Sequence, residues 1–313
     1  MKHTSVLLHE TIDLLNVKPD GIYVDGTLGR GGHAGLLLSK LKDGHLYAFD
    51  QDEQAIEESK INLKDYLDHV TMIHDNFRAM KKELAGYGVD HVDGIMMDLG
   101  VSSPQFDDPA RGFSYRFDAR LDMRMDQSKE KDAYFVVNTY SVEDLTRIFK
   151  DYGEERYAWP IAKAIAARRA EKPIATTFEL VDVIKSALPE RELHKKGHPA
   201  KQTFQALRIE VNDELGALDE ALREALDLLN VGGRCAVITF HSLEDRLVKQ
   251  TFKDYSSAPF VEPRLPLRAE QMEQASFQLV NRKPITAQEA EMENNRRSHS
   301  AKLRVIERIR GRE

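Results

Sequence analysis

Three groups of residues in this chain have the types and spacing that chemistry needs. The first is Asp25-Gly26-Thr27-Leu28-Gly29-Arg30-Gly31-Gly32-His33-Ala34-Gly35. Glycines at 29, 31 and 32 let the backbone take positive φ values and approach a ligand that any Cβ would hold away, where a helix begins and its first N–H groups are unpaired. The turn is expected to bind something small. The second is Asp50, which ends the apolar run His45-Leu46-Tyr47-Ala48-Phe49-Asp50 about 20 residues on, where a strand-end carboxylate accepts ribose hydroxyls. Gly29-x-Gly31-x-x-Ala34 also fits the loose dinucleotide fingerprint. NAD and S-adenosylmethionine both carry such a ribose, so the turn alone does not choose between them. The bland alternative for Asp50 is a solvated acid or the cap of a helix starting near Asp52.

The third group is Asp98-Leu99-Gly100-Val101-Ser102-Ser103-Pro104-Gln105. Asp98 ends a strand, and Ser102-Ser103-Pro104 is expected to form a tight turn aiming carbonyls and hydroxyls at a flat substrate. An exocyclic amine of a nucleobase is a poor nucleophile because its lone pair is delocalised into the ring. Acceptors that hold its N–H groups out of plane restore the lone pair, and an amine held in line with a sulfonium methyl attacks directly.

Other side chains call for weighing. His194 and His198 are spaced i, i+4, but no Glu follows the first, Gly197 and Pro199 break the helix, and no cysteine is near, so no metal site is expected. His241 ends a fifth strand on the ligand side, where it touches RNA or orders the loop. A structural role is favoured over a general base, since the amine loses its proton easily once methylated. Asp122 and Arg124 read equally as catalytic or as a pair in an ordered linker with Met123 and Met125 inward. Cys235, the one cysteine, lies at a strand start and reads as packing.

These groups need a scaffold, and the pattern supplies one. A short amphipathic helix is expected over Thr4 to Leu15. Strands are expected at Ile22 to Asp25, Leu46 to Asp50, Val70 to His74 and Gly94 to Leu99, with helices between them at about Gly31 to Leu41, Asp52 to Leu63 and Phe77 to Ala85. That alternation implies right-handed crossovers and a doubly wound parallel sheet. From about Asp107 to Pro199 the patterning is helical only, which reads as an insertion beside the strand ends where such sheets bind ligands. A long helix, Thr203 to Asn230, then leads through Gly232-Gly233 to a strand at Arg234 to Phe240 and a helix from Leu243. An irregular stretch follows over Ser256 to Ser276, then strand Phe277 to Val280, helix Ala287 to Asn294 and strand Lys302 to Ile309. The organisation expected is a first catalytic part over 1–106, a helical substrate-recognition insertion over 107–200 and a second catalytic part over 201–313.

With 313 residues, 41% hydrophobic and 31% charged, the chain has the composition of a soluble globular protein, and one cysteine excludes an internal disulfide and a CxxC zinc site. No apolar run is long enough to span a membrane and no signal-peptide core precedes the first helix, so a reducing cytoplasm is expected. A net charge of −7 argues against non-specific coating of nucleic acid. Two local excesses stand against it: Arg296, Arg297, Lys302, Arg304, Arg308, Arg310 and Arg312 at the end, and Lys185, Arg191, Lys195, Lys196 and Lys201 after Arg168, Arg169 and Lys172. Each is a solvated face or part of a phosphate-binding face.

Together with Arg111-Gly112-Phe113-Ser114, Leu121-Asp122-Met123-Arg124-Met125-Asp126, Tyr152-Gly153-Glu154-Glu155, Thr203-Phe204-Gln205-Ala206-Leu207-Arg208 and Phe240-His241-Ser242-Leu243-Glu244-Asp245-Arg246, the first and third groups resemble the bacterial RsmH (MraW) family over nearly the whole chain. The resemblance implies a class I, Rossmann-like α/β methyltransferase with an inserted helical domain. It also implies S-adenosylmethionine-dependent methylation of cytidine N4 in the decoding region of 16S ribosomal RNA. Carried over by position, it implies cofactor contacts at Gly31, Gly32, His33, Asp50, Phe77, Asp98 and Gln105, with Asp98, Ser102, Ser103 and Pro104 as the catalytic candidates and no metal. The expected partner is 16S ribosomal RNA within the small subunit, with no membrane and with a homodimer as one option for assembly. Arg120 departs from the pattern, where proline is expected. The rivals are a DNA amino-methyltransferase, a nicotinamide oxidoreductase and a non-enzymatic RNA-binding assembly protein.

Overall fold

Four short apolar runs, each closed by a turn or a capping acid, line up as the parallel strands that hold the site. The structure is a computed structural model that describes residues 5–258 and 274–311. In chain order the first stretch contains α1 (Leu8–Leu15), β1 (Ile22–Asp25), α2 (Gly32–Leu38), β2 (His45–Asp50), α3 (Glu53–Asn62), β3 (Val70–His74), α4 (Met80–Gly86) and β4 (Val92–Asp98). Helical elements α5 (Ser103–Asp107), α6 (Ala133–Thr139), α7 (Val142–Asp151), α8 (Ala158–Glu171), α9 (Thr177–Ala187), α10 (Glu190–Leu193) and α11 (Lys201–Asn212) follow. The chain closes with α12 (Glu214–Leu228), β5 (Leu229–Thr239), α13 (Ser242–Tyr255), β6 (Phe277–Leu279), α14 (Glu289–Asn294) and β7 (Lys302–Arg308). Two compact units result: Met1–Gly100 with Gly216–Glu313, and Val101–Leu215.

In the first unit the strand order is β3-β2-β1-β4-β5-β7-β6. The first five are parallel, and β7 runs antiparallel to both β5 and β6. Residues of β4 show why the sheet is buried on both faces: Ile95 and Met97 join one apolar cluster with Val24 and Phe49, while Met96 joins another with Tyr23 and Ala48, the period-2 alternation of a pleated strand. Strand order reverses between β1 and β4, so the carboxyl ends of these neighbours flank the crevice where open α/β sheets take ligands. Asp25, Asp50 and Asp98 are the last residues of β1, β2 and β4.

The long helix expected over Thr203 to Asn230 is two helices. Asp213 adopts a left-handed backbone (φ 50) between α11 and α12. Asn212 locks this break by accepting the Met125 N–H at 2.8 Å and donating to the Met123 carbonyl at 2.8 Å. Gly232-Gly233 does not end a helix but lies inside β5. Leu229 pairs with Val92 and Arg234 with Gly94, so the residues between bulge out, with Gly232 at φ +82. The second unit runs to Leu215 because α11 puts Phe204, Leu207 and Val211 into the same core as Leu145, Phe149, Ile161 and Leu180.

That core is closed where two segments cross and are hydrogen-bonded together. Arg111 donates to the carbonyls of Arg124 and Met125 at 3.0 Å each, and Arg124 forks onto Asp122 at 2.7 and 2.8 Å. Met123 and Met125 are buried, and Asp122 and Arg124 form the pair expected of an ordered linker. Burial would raise the Asp122 carboxyl, but the Arg124 fork outweighs it and holds the group below its usual range. Arg120, standing where proline was expected, bonds Asp132 at 2.6 Å and bridges to Thr176, which fixes this path by other means. The irregular stretch from Ser256 to Ser276 lies mostly outside the described residues, as do Thr4, Arg312 and Glu313.

Candidate functional site

The glycine turn is tied to its neighbours by backbone bonds. Gly26 N–H donates to the Met96 carbonyl at 2.9 Å and Leu28 N–H to the Phe49 carbonyl at 2.8 Å, so the turn leaves β1 between β4 and β2. Gly29 and Gly31 have φ of 52 and 75, as the sequence leads one to expect. Gly32 does not take a positive φ. A Cβ there would meet Ser5 Oγ, a hydroxyl that can rotate away.

Asp50 braces this turn as well as facing it. Its Oδ2 accepts the Gly29 N–H at 2.8 Å and its Oδ1 the Asp52 N–H at 2.9 Å, while Asp52 itself caps α3 through the Gln54 N–H. Burial, against these two N–H bonds, pushes the Asp50 carboxyl up to about 6. Replacing Asp50 by alanine is therefore expected to weaken S-adenosylmethionine binding by about 1.5–3 kcal/mol, the range for a hydrogen bond to a charged group. Calorimetry on the folded variant measures this, and unchanged affinity removes Asp50 from the site.

At the end of β4, Asp98 N–H donates to Thr27 Oγ1 at 2.6 Å, and Thr27 N–H donates to Asp25 Oδ1 at 2.9 Å. His33 Nε2 lies 3.1 Å from the Val6 carbonyl, which places Nδ1 toward Asp98 Oδ2 at 3.9 Å. Among the described residues Asp98 Oδ1 is buried without a hydrogen-bond partner. Thr11, Asp25, His33, Met96, Met97, Asp98 and Ile238 line a small pocket around it. Burial raises the Asp98 carboxyl above its ordinary range despite the pull of His33 and Arg297. Burial also pushes Asp25 up to about 7, with the charges of Asp98 and Asp50 adding to the effect. Three acids at adjoining strand ends, one with an unfilled acceptor, suit a positively charged ligand. Asp25 and Thr27 were not singled out in the sequence, although both lie within the glycine segment. Their signal is position, a strand-end acid and a hydroxyl two residues on.

Phe77 opens the single turn Phe77–Ala79, capped by Asn76, whose side chain accepts the Arg78 N–H at 3.0 Å. It is half-buried beside Gly26, where a Cβ would stand 3.2 Å from its own. Gly31, Gly32, His33, Asp50, Phe77 and Asp98 all belong to the first unit, and Ser102 to Gln105 to the second. There the tight turn expected at Ser102-Ser103-Pro104 is instead the start of α5. Ser102 N–H donates to Gln105 Oε1 at 3.0 Å, Ser102 Oγ accepts the Gln105 N–H at 3.4 Å, and the Ser102 carbonyl is taken by the Phe106 N–H. Proline fits the first turn of a helix because the N–H it lacks has no partner there.

His241 precedes α13. Glu244 Oε2 accepts the N–H groups of Phe240 (2.8 Å) and His241 (3.2 Å), and Oε1 lies 3.0 Å from His241 Nε2, an arrangement that orders the helix start. Part of the C-terminal basic run is internal. Lys302 and Arg304 both bond Asp245, at 3.0 and 2.7 Å, and buried Arg308 donates to the Leu229 carbonyl at 3.0 Å. These bonds take Arg304 and Arg308 out of a phosphate face and tie down Lys302, while Arg310 stays exposed. In the second cluster Lys195 pairs with Glu192 at 2.6 Å, Lys172 with Glu179 at 3.0 Å, and Arg169 turns inward to the Val137 and Tyr140 carbonyls.

A sequence model of the MraW methylase family matches residues 1–309. The chain belongs to that family. Its methyl donor is S-adenosylmethionine, and a cation with a ribose fits the glycine turn, the Asp50 carboxylate and the unfilled Asp98 acceptor. Among solved structures, the chain is similar to a protein from Clostridium thermocellum described as a supposed rRNA methylase (15% identity, 98% and 100% of the two chains, TM-score 0.46) and to an rRNA methylase from Streptococcus thermophilus (14%, 98% and 99%, 0.44). It is also similar to a SAM-dependent O-methyltransferase from Thermotoga maritima (11%, 100% and 70%, TM-score 0.42). At these scores they add nothing to the fold described above. Among the described residues no helix is long and apolar enough to cross a membrane.

Proposed function

We propose that this family member methylates N4 of a cytidine in the decoding region of 16S ribosomal RNA, on RNA or the small subunit, in the cytoplasm. The observation that carries the choice of an exocyclic amine over ring carbon is Cys235. Cytosine C5 methylation needs a thiolate to add at C6, and the one cysteine is fully buried in β5, where burial pushes its thiol up to about 12. An amine needs no adduct. Bound S-adenosylmethionine supplies an electrophilic methyl on a cationic sulfur. The chain's part is to hold that cation against Asp98 and the ribose against Asp50, and to present the amine without water.

Cys235→Ser tests this directly. The variant is expected to keep more than about half of wild-type turnover, because the small side chain only packs. A folded variant that binds cofactor and RNA but transfers no methyl overturns amine methylation. In the second unit, Lys196 and Lys201 are exposed and Lys195 is paired. Neutralising all three is expected to lower RNA affinity and flatten its salt dependence by ~1.4 in log–log slope, for two phosphate contacts on a single strand. Filter binding across a salt series reads this, and an unchanged slope assigns the cluster to solvated surface.

A further inference from the structure

The second unit carries a feature that neither the cofactor site nor the lysine cluster uses. The Tyr115 and His198 rings stack at 4.1 Å and 11°, with Tyr115 backed by the edge of buried Phe204. The segment after Tyr115 lies along the start of α9. Thr177 N–H donates to the Ala119 carbonyl at 2.8 Å, and Thr177 Oγ1 donates to the Phe117 carbonyl at 2.6 Å. Ala119 N–H donates to Thr177 Oγ1 at 3.0 Å, and Phe178 N–H to Asp118 Oδ1 at 3.3 Å. A Thr176–Glu179 capping box anchors the same helix end. On this fixed frame Phe117 and Phe178 stand 45% and 43% exposed. Their exposure is built into the backbone and is not the fraying of a loop. Two apolar rings fixed at the surface on one helix start offer flat faces to a partner, which the charges beside them have to specify.

Charge says which partner. Arg116 and Lys185 are exposed and near His198, and Lys196 and Lys201 are exposed two and three residues from it in the chain, against Asp118, whose carboxylate is engaged by Phe178 N–H, and exposed Asp182. Arg116 and Lys185 are near enough to His198 to help burial lower its pKa. Flat faces interleaved with cations match unpaired bases and their phosphates.

We infer that His198, backed by Tyr115, forms with Phe117 and Phe178 a stacking platform for unpaired nucleotides of the RNA substrate, with Arg116 and Lys185 taking the backbone. This rests on the reading of the protein as an RNA methyltransferase. It adds where single-stranded substrate is held.

The test uses the full chain, a fluorescein-labelled single-stranded RNA of mixed sequence and the same RNA annealed to its complement. The variant Phe117→Ser/Phe178→Ser, which changes only exposed rings, is expected to weaken single-stranded binding by about 5- to 100-fold. His198→Ala is expected to weaken it too, with recovery in His198→Phe. Duplex binding and S-adenosylmethionine affinity by calorimetry are expected to stay unchanged. Single-stranded affinity within twofold of wild type for the folded double variant overturns the platform. If that variant instead keeps its RNA affinity but loses methylation of assembled small subunits, the patch docks a protein and the inference is wrong. Absence of any methyl transfer to ribosomal RNA by the wild type is a separate result that removes the functional reading.

Discussion

Asp98→Asn is expected to lower kcat/KM for methyl transfer by about 100- to 1000-fold, the loss seen when one preorganised electrostatic partner is removed from a water-excluded site. Asparagine keeps the shape of the side chain and leaves the Asp98 backbone N–H on Thr27 Oγ1 undisturbed. It removes the negative charge that faces the cationic end of the methyl donor. Burial already disfavours that charge, since the carboxyl is raised above its ordinary range. The variant is therefore expected to be at least as stable as wild type while losing activity, which separates a binding and catalytic role from a structural one. Tritiated methyl transfer and thermal unfolding measure the two sides. Activity within about threefold of wild type, in a folded protein, takes Asp98 out of the site.

Gly112→Ala is expected to destabilise the second unit by about 3–5 kcal/mol, among the larger effects a single substitution produces. Gly112 has φ +69, and a Cβ there would run into the Arg120 carbonyl and stand 2.9 Å from the Asp122 N–H. Neither neighbour is the end of a flexible side chain. Met123 N–H also donates to the Arg111 carbonyl at 3.1 Å, so the strained position sits where two motifs cross. Denaturant unfolding followed by the Trp159 fluorescence, from α8 of the same unit, reads the loss. A change below about 1 kcal/mol contradicts the crossing described here.

Strands β1 to β4 were legible to within about two residues because each is an apolar run bounded by glycine or an acid, the signal that local sequence carries best. Legibility failed where a distant partner decides the outcome. Nothing in Ile209-Glu210-Val211-Asn212-Asp213-Glu214 breaks a helix by composition. The break is set by Asn212 reaching Met123 and Met125, 89 and 87 residues earlier. Lys302 and Arg304 read as a basic tail because their shared partner, Asp245, lies more than 50 residues away, and only the pairing of β7 against β5 brings them together. The glycine turn was readable as a strand-to-helix loop because its signal lies in one short segment, Asp25 to Gly35. The Thr27 link to Asp98 was not, since it needs β1 and β4 to be neighbours.

The central claim is methyl transfer to a cytidine amine in ribosomal RNA. Small subunits and 16S RNA from cells lacking this protein, incubated with it and radiolabelled S-adenosylmethionine, then digested to nucleosides, test it most directly. Label is expected in N4-methylcytidine from the decoding region, and it should fall to background with Asp98→Asn. Label in 5-methylcytidine, or transfer to duplex DNA with none to ribosomal RNA, contradicts the account.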